Sequence, residues 1–213
     1  MYRDIKQLLG DMQELQGQLE ELFDEARVRF RYSIEDGRVR FSREVAEFQR
    51  RFRTSLLRYL LQADLFSVIT APVIYAMIAP LLLIDLSFSC YQQICFRAYG
   101  VPRVRRSDYL VIDRHRLGYL NAIEKFNCSY CGYGNGVIAY AREIISRTEQ
   151  YWCPIRHAQH INGAHDRYPY FFDYGDAGGW QGGLKEIRRQ LQDEVTVAAR
   201  HTTTGAGPGK GRT

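Results

Sequence analysis

Several common signatures are missing from this sequence, and each absence removes a class of protein. No phosphate loop, nucleophile elbow or dinucleotide fingerprint occurs, so nucleotide-driven and serine-hydrolase chemistries have no motif here. The opening "MYRDIKQLLGDMQELQ" lacks both the basic start with an apolar stretch and the cleavage site of a signal peptide. The N-terminus is therefore expected to begin in the cytoplasm, where thiols stay reduced. The chain has 5 cysteines, an odd number that cannot pair completely within one molecule and is too small for a disulfide-built secreted scaffold. No E-x-x-H pair of the kind found in di-iron bundles is present. Most telling, residues 65–84, "LFSVITAPVIYAMIAPLLLI", contain no charge at all.

That uncharged run matches the hydrocarbon thickness of a bilayer at the rise of an α-helix. A buried core helix usually keeps one polar face, and this stretch has none. A membrane segment over residues 63–97 follows as an expectation. Its topology has two solutions. Arginines flank it evenly, with Arg50, Arg51, Arg53 and Arg58 before and Arg97, Arg103, Arg105 and Arg106 after, so the positive-inside rule does not choose an orientation. Apolar character continues past Asp85, and Pro72 and Pro80 permit a bend. Two legs of about seventeen residues would each rise roughly 25 Å, which fits a re-entrant hairpin slightly better than two full crossings. A single tilted span is the other solution. Asp85 lies near the apex in the first and near an interface in the second, and needs a partner in either.

The net charge is +5 and the pI is near 9.0. Because the arginines cluster beside the apolar segment, anionic lipid headgroups are the expected partner, each arginine contributing about 1 kcal/mol. Nucleic acid is not expected.

The rest of the chain reads as mainly α. An N-terminal helical arm occupies residues 1–62, with Leu8, Met12, Leu15, Leu19 and Leu22 forming a narrow seam suited to a coiled coil, to self-association, or to packing on another helix. Residues 26–41 fit two patterns. Val28, Phe30, Tyr32 and Ile34 alternate as in a hairpin turned at Asp36-Gly37, whereas Ala26, Phe30, Ile34, Phe41 and Val45 share a helical face. An isolated hairpin is marginal in water, so helix with a break near Gly37 is the expectation. A small helical domain follows over residues 98–200, with helical patterns at Leu117–Phe126, Val137–Ile145 and Leu184–Val195. The tail 201–213 is expected to be disordered.

The chemistry-bearing residues lie in "EKFNCSYCGYGNG" and "EQYWCPIRHA". Cys128 and Cys131 form a C-x2-C knuckle followed by glycines. Cys153 precedes Pro154, a residue suited to a first helical position, and His157 stands four residues on. With a helix between the halves, Cys128, Cys131, Cys153 and His157 are expected to form a tetrahedral Cys3His site for zinc, with iron as the alternative occupant. A thiol–disulfide couple at Cys128 and Cys131 and ordinary buried cysteines are competing readings. Cys90 and Cys95 read as small hydrophobes. His160 and His165 are alternative ligands or solvated loop residues, His115 an exposed or ion-paired one. Glu124 and Glu149, each about a turn before a cysteine, are candidate second acceptors around the site. Glu143 pairs with Arg147 at i, i+4. The ring-rich stretch from Tyr168 to Trp180 suits a membrane boundary or a lid over the site.

The run "YQQICFRAYGVPRVRRSDYLVIDRHRLGYLNAIEKFNCSYCGYGNGVIAYAREIISRTEQYWCPIRHA", with "FFDYGDA" after it, resembles an uncharacterised family of bacterial membrane-associated proteins. The likeness covers about residues 64–176. It implies a bacterial membrane protein and brings no activity; the inner membrane, with the soluble parts in the cytoplasm, is the expected location. Two functions remain: a membrane-anchored, metal-stabilised scaffold or interaction protein, or a metal- or thiol-dependent redox enzyme acting on a lipid-like or quinone-like substrate.

Overall fold

Helix dominates, as the 3.6-residue periodicities require. The computed structural model describes residues 2–35 and 38–204. The N-terminal seam forms α1 (Tyr2–Arg29), on which Leu15, Leu19 and Leu22 are all exposed. The helix ends before Arg31, whose φ of 51° lies in the left-handed region.

A hairpin, not the expected helix, follows. Strands β1 (Tyr32–Glu35) and β2 (Arg38–Phe41) pair antiparallel, with Tyr32 opposite Phe41 and Ile34 opposite Val39. Asp36 and Gly37, the residues between the strands, lie outside the described residues. Two features offset the marginality of a lone hairpin. The Tyr32 and Phe41 rings meet across the pair at 5.9 Å, and Tyr32, Val39 and Phe41 share a small cavity with Asp113, Arg114 and Leu117. The period-2 pattern wins because a second segment covers one of its faces.

Two short helices come next, α2 (Arg43–Arg50) and α3 (Leu56–Leu61). Ser42 and Ser55 accept hydrogen bonds from the N–H of Val45 and Arg58, which satisfies one otherwise orphaned donor at each start. Gln49 Oε1 then accepts from Gly118 N at 2.9 Å.

From Leu65 to Tyr99 the chain forms one 35-residue helix, long and apolar enough to cross a membrane. It comprises α4 (Leu65–Ala76), a turn at Met77, α5 (Ile78–Tyr91), a π-helical stretch Gln92–Phe96, and a last turn α6 (Arg97–Tyr99). The hairpin alternative is not formed. Pro80 sits in the first turn of α5, where no N–H partner is lost, so it does not reverse the chain. Asp85 lies inside the helix at 9% exposure, held bidentately by Arg106 at 2.6 to 3.2 Å.

The longest surprise is α7 (Ala122–Trp152), a 31-residue helix where two helices joined by a glycine knuckle were expected. It starts with a reciprocal cap: Asn121 Oδ1 accepts from the N–H of Ile123 and Glu124, and Glu124 Oε2 accepts from Asn121 N at 2.8 Å. Its glycines stay helical because another backbone needs their space. A Cβ at Gly132 would stand 3.3 Å from the Val111 carbonyl, and one at Gly136 only 2.8 Å from that of Tyr109. Helix α8 (Ala177–Thr204) closes the described chain, capped by Asp176 Oδ1 on Gly179 N at 2.8 Å. Residues 201–204, expected in the tail, belong to it, and residues 205–213 lie outside the described ones.

The chain divides into two compact units. One comprises Met1–Ile78 and Val111–Asn135, the other Ala79–Leu110 and Gly136–Thr213. In the first, Tyr75 donates to Asn127 Oδ1 and Tyr130 to the Ile74 carbonyl, both at 2.5 Å. The second has the better-defined core, in which Phe96, Val101, Val104, Tyr140, Ile144 and Leu191 pack together.

Candidate functional site

Of the four residues expected to bind zinc, Cys128 and Cys131 belong to the first compact unit and Cys153 and His157 to the second. Cys128 and Cys131 occupy the second and third turns of α7, half-buried and exposed respectively. The helix then runs unbroken to Trp152, a rise of about 32 Å, before Cys153 is reached. Pro154 does not begin a helix either: it ends α7, and Ile155 enters a parallel bridge with Phe172. His157 is exposed, its N–H donated to the Tyr168 hydroxyl at 2.6 Å and its ring stacked on that tyrosine. Among the described residues no group of three or more His, Cys, Asp or Glu side chains is placed to hold a metal ion. All five cysteines are free.

The expected supporting residues have other partners. Glu124 belongs to the α7 cap. Glu149 does accept from a histidine, but it is His165, at 2.9 Å. The aromatic cluster divides: Phe171 is buried, while Tyr170 and Tyr174 are exposed.

What the second unit assembles instead is a cleft of about 730 Å³ after the apolar helix. One side is the π-helical stretch, in which Gln92 is only 4% exposed. Its carboxamide ties the following loop to the helix: Oε1 accepts from Val104 N at 2.9 Å, and Nε2 donates to the Val104 carbonyl and to the Tyr140 hydroxyl. Local π geometry of this kind is frequent at functional sites. Arg103, on the loop, donates to Gln93 Oε1 at 2.6 Å. Arg147 of α7 forms part of the wall and donates to the Pro102 carbonyl at 2.8 Å.

Behind that wall lies a four-charge network centred on Arg167. Its guanidinium donates to Glu143 Oε1 at 2.8 Å, to both oxygens of Glu194 at 2.7 and 2.9 Å, and to Gln150 Oε1 at 2.8 Å. Arg147 completes it at 2.7 Å from Glu143. Burial alone would raise the Glu143 carboxyl, but hydrogen bonds and charge from Arg167 and Arg147 outweigh it and hold Glu143 below the usual carboxylate range. Burial alone would lower Arg167, and Glu194 and Glu143 reverse that. Burial and the Glu143 charge raise Tyr109, which lines the cleft as a neutral phenol.

The network is balanced, two guanidiniums against two carboxylates, so the remaining lining charge stands out. Arg105 has Asp108 at 3.7 Å. Among the described residues, Arg97 and Arg103 have no carboxylate partner. Sequence reasoning had grouped these arginines with the membrane but had missed Arg167 and Gln92. The signal for Gln92 was a pair of amides closing an apolar run. Arg167, inside a loop, carried none.

Fold and site together define a mainly helical protein with, among the described residues, one helix long and apolar enough to cross a membrane and an arginine-lined cleft where that helix ends. Compared with known proteins, the chain matches no family model, no curated protein and no solved structure.

Proposed function

We propose that this chain is a membrane-anchored scaffold or interaction protein. Its apolar helix would be the anchor, its arginines would meet anionic headgroups, and the exposed leucine seam of α1 would take the same seam of a second copy. The observation that carries the reading is the state of the helix surface. Ten large apolar side chains between Leu65 and Leu86 are at least half exposed, far more than a soluble monomer leaves in one patch. At about 0.5 kcal/mol each, their transfer to lipid is favourable by on the order of 5 kcal/mol. No lysine or arginine occurs between Arg58 and Arg97. The one charge inside the run, Asp85, is neutralised by Arg106, which removes most of the penalty a lone carboxylate would impose.

Alkaline carbonate extraction of cells expressing the full chain tests the reading. The protein should stay in the membrane pellet and move to the soluble fraction only with detergent. Release by carbonate alone would refute the anchor.

A further inference from the structure

The cleft beside Gln92 has a composition that points to one kind of ligand. Its volume lies within the range of small-molecule sites. Its walls are mixed: Phe96, Val101 and Val104 supply apolar surface, and Arg97 and Arg103 supply charge. Every other lining charge is internally matched. Arg147 faces Glu143, Arg105 faces Asp108, and Glu194 is taken by Arg167. Two guanidiniums without carboxylates, Arg97 on the last helical turn and Arg103 on the loop fixed by Gln92, leave the cleft with an uncompensated charge of about two. Guanidinium forks match phosphate oxygens in spacing and number. Arg97 is also the first basic residue after the apolar run, so the cleft opens where a lipid phosphate would stand if the helix is embedded.

We infer that this cleft is a discrete binding site for a phosphate group, held by Arg97 and Arg103, with the apolar wall receiving the start of an acyl chain when the phosphate is a lipid headgroup. The inference rests on the membrane reading for the lipid source only; phosphate recognition follows from the cleft itself. It differs from general attraction of arginines to an anionic surface because it requires saturation at one ligand per chain.

The test is calorimetric titration of the full-length protein in an uncharged detergent with three probes: inorganic phosphate, short-chain phosphatidic acid and short-chain phosphatidylcholine. Phosphatidic acid should bind one to one. Arg97→Gln and Arg103→Gln should each weaken it about tenfold, with Arg→Lys at the same positions restoring part of the loss. Arg43→Gln, on an exposed arginine of α2 outside the cleft, should leave it unchanged. Tighter binding of phosphatidic acid than of inorganic phosphate supports the headgroup as source, and equal binding supports a free phosphate compound. No saturable binding by either anion, equal binding of phosphatidylcholine, or an equal loss in Arg43→Gln would overturn the site. Carbonate extraction of the Arg97→Gln protein separates the two proposals: it should remain in the membrane pellet, because the anchor does not depend on the cleft.

Discussion

The two halves of α7 are held in different ways. From Ala122 to Asn135 the helix is fastened by tyrosine hydroxyls and by backbone approach: Tyr130 and Asn127 bond the α4 region, and Gly132 admits the Val111 carbonyl. No ion pair involves this half among the described residues. From Gly136 to Trp152 the same helix carries Tyr140 and Ile144 into a core and Glu143 and Arg147 into a half-buried ionic network. A charge-free stretch, Phe126–Ala141, thus gives way to a charge-dense one within a single helix. One half is fixed by hydroxyls and small residues. The other builds the wall of a polar cleft, where half-buried charges hold one another in place.

The sharpest way to break this contrast is to remove the hub of the second half. Arg167→Ala leaves Glu143 facing Arg147 alone and Gln150 unpaired, and should destabilise the second unit by about 2–3 kcal/mol in chemical denaturation. At the junction, Gly136→Ala places a methyl against the Tyr109 carbonyl and the Leu110 Cα, both backbone, and should cost about 1–3 kcal/mol.

Acidification separates the halves without mutation. The folded-state pKa of Glu143 is depressed, so the native state binds fewer protons than the unfolded one in that range, and stability falls as pH drops below the ordinary carboxylate value of about 4.3. Exchange protection at Tyr140 and Ile144 should decline there, with Cys128 and Ser129 less affected. Glu143→Gln should flatten the difference. The smallest effect belongs to Cys131→Ser, which should change stability by less than about 0.5 kcal/mol, and a chelator should leave thermal unfolding unmoved. A large loss in either would support a metal at the cysteines.

How far these features could be read in advance follows from the same contrast. The apolar helix, α1 and the α8 face were legible because a period of 3.6, or the absence of charge, is a local property. The hairpin was ambiguous because residues 26–41 satisfy two periods, and the choice depends on Leu117 and its neighbours, distant in sequence. The expected turn after the cysteine pair was misplaced for a related reason. Glycines at 132 and 136 looked like a turn, but they are small residues in a helix interior that make room for residues 109–111. Once that segment is packed there, residues 122–152 continue as one helix instead of turning at the glycines. Arg167 was unreadable because its three partners are spread from Glu143 to Glu194.

The central claim is that the exposed face of the apolar helix lies in lipid. Leu83, 64% exposed on that helix, reports on it directly. In Leu83→Trp protein reconstituted into vesicles, the added emission, taken as the difference from wild type, should be strongly quenched by bromines on the acyl chains and untouched by aqueous iodide. Quenching by iodide, with none from the brominated chains, would contradict the account.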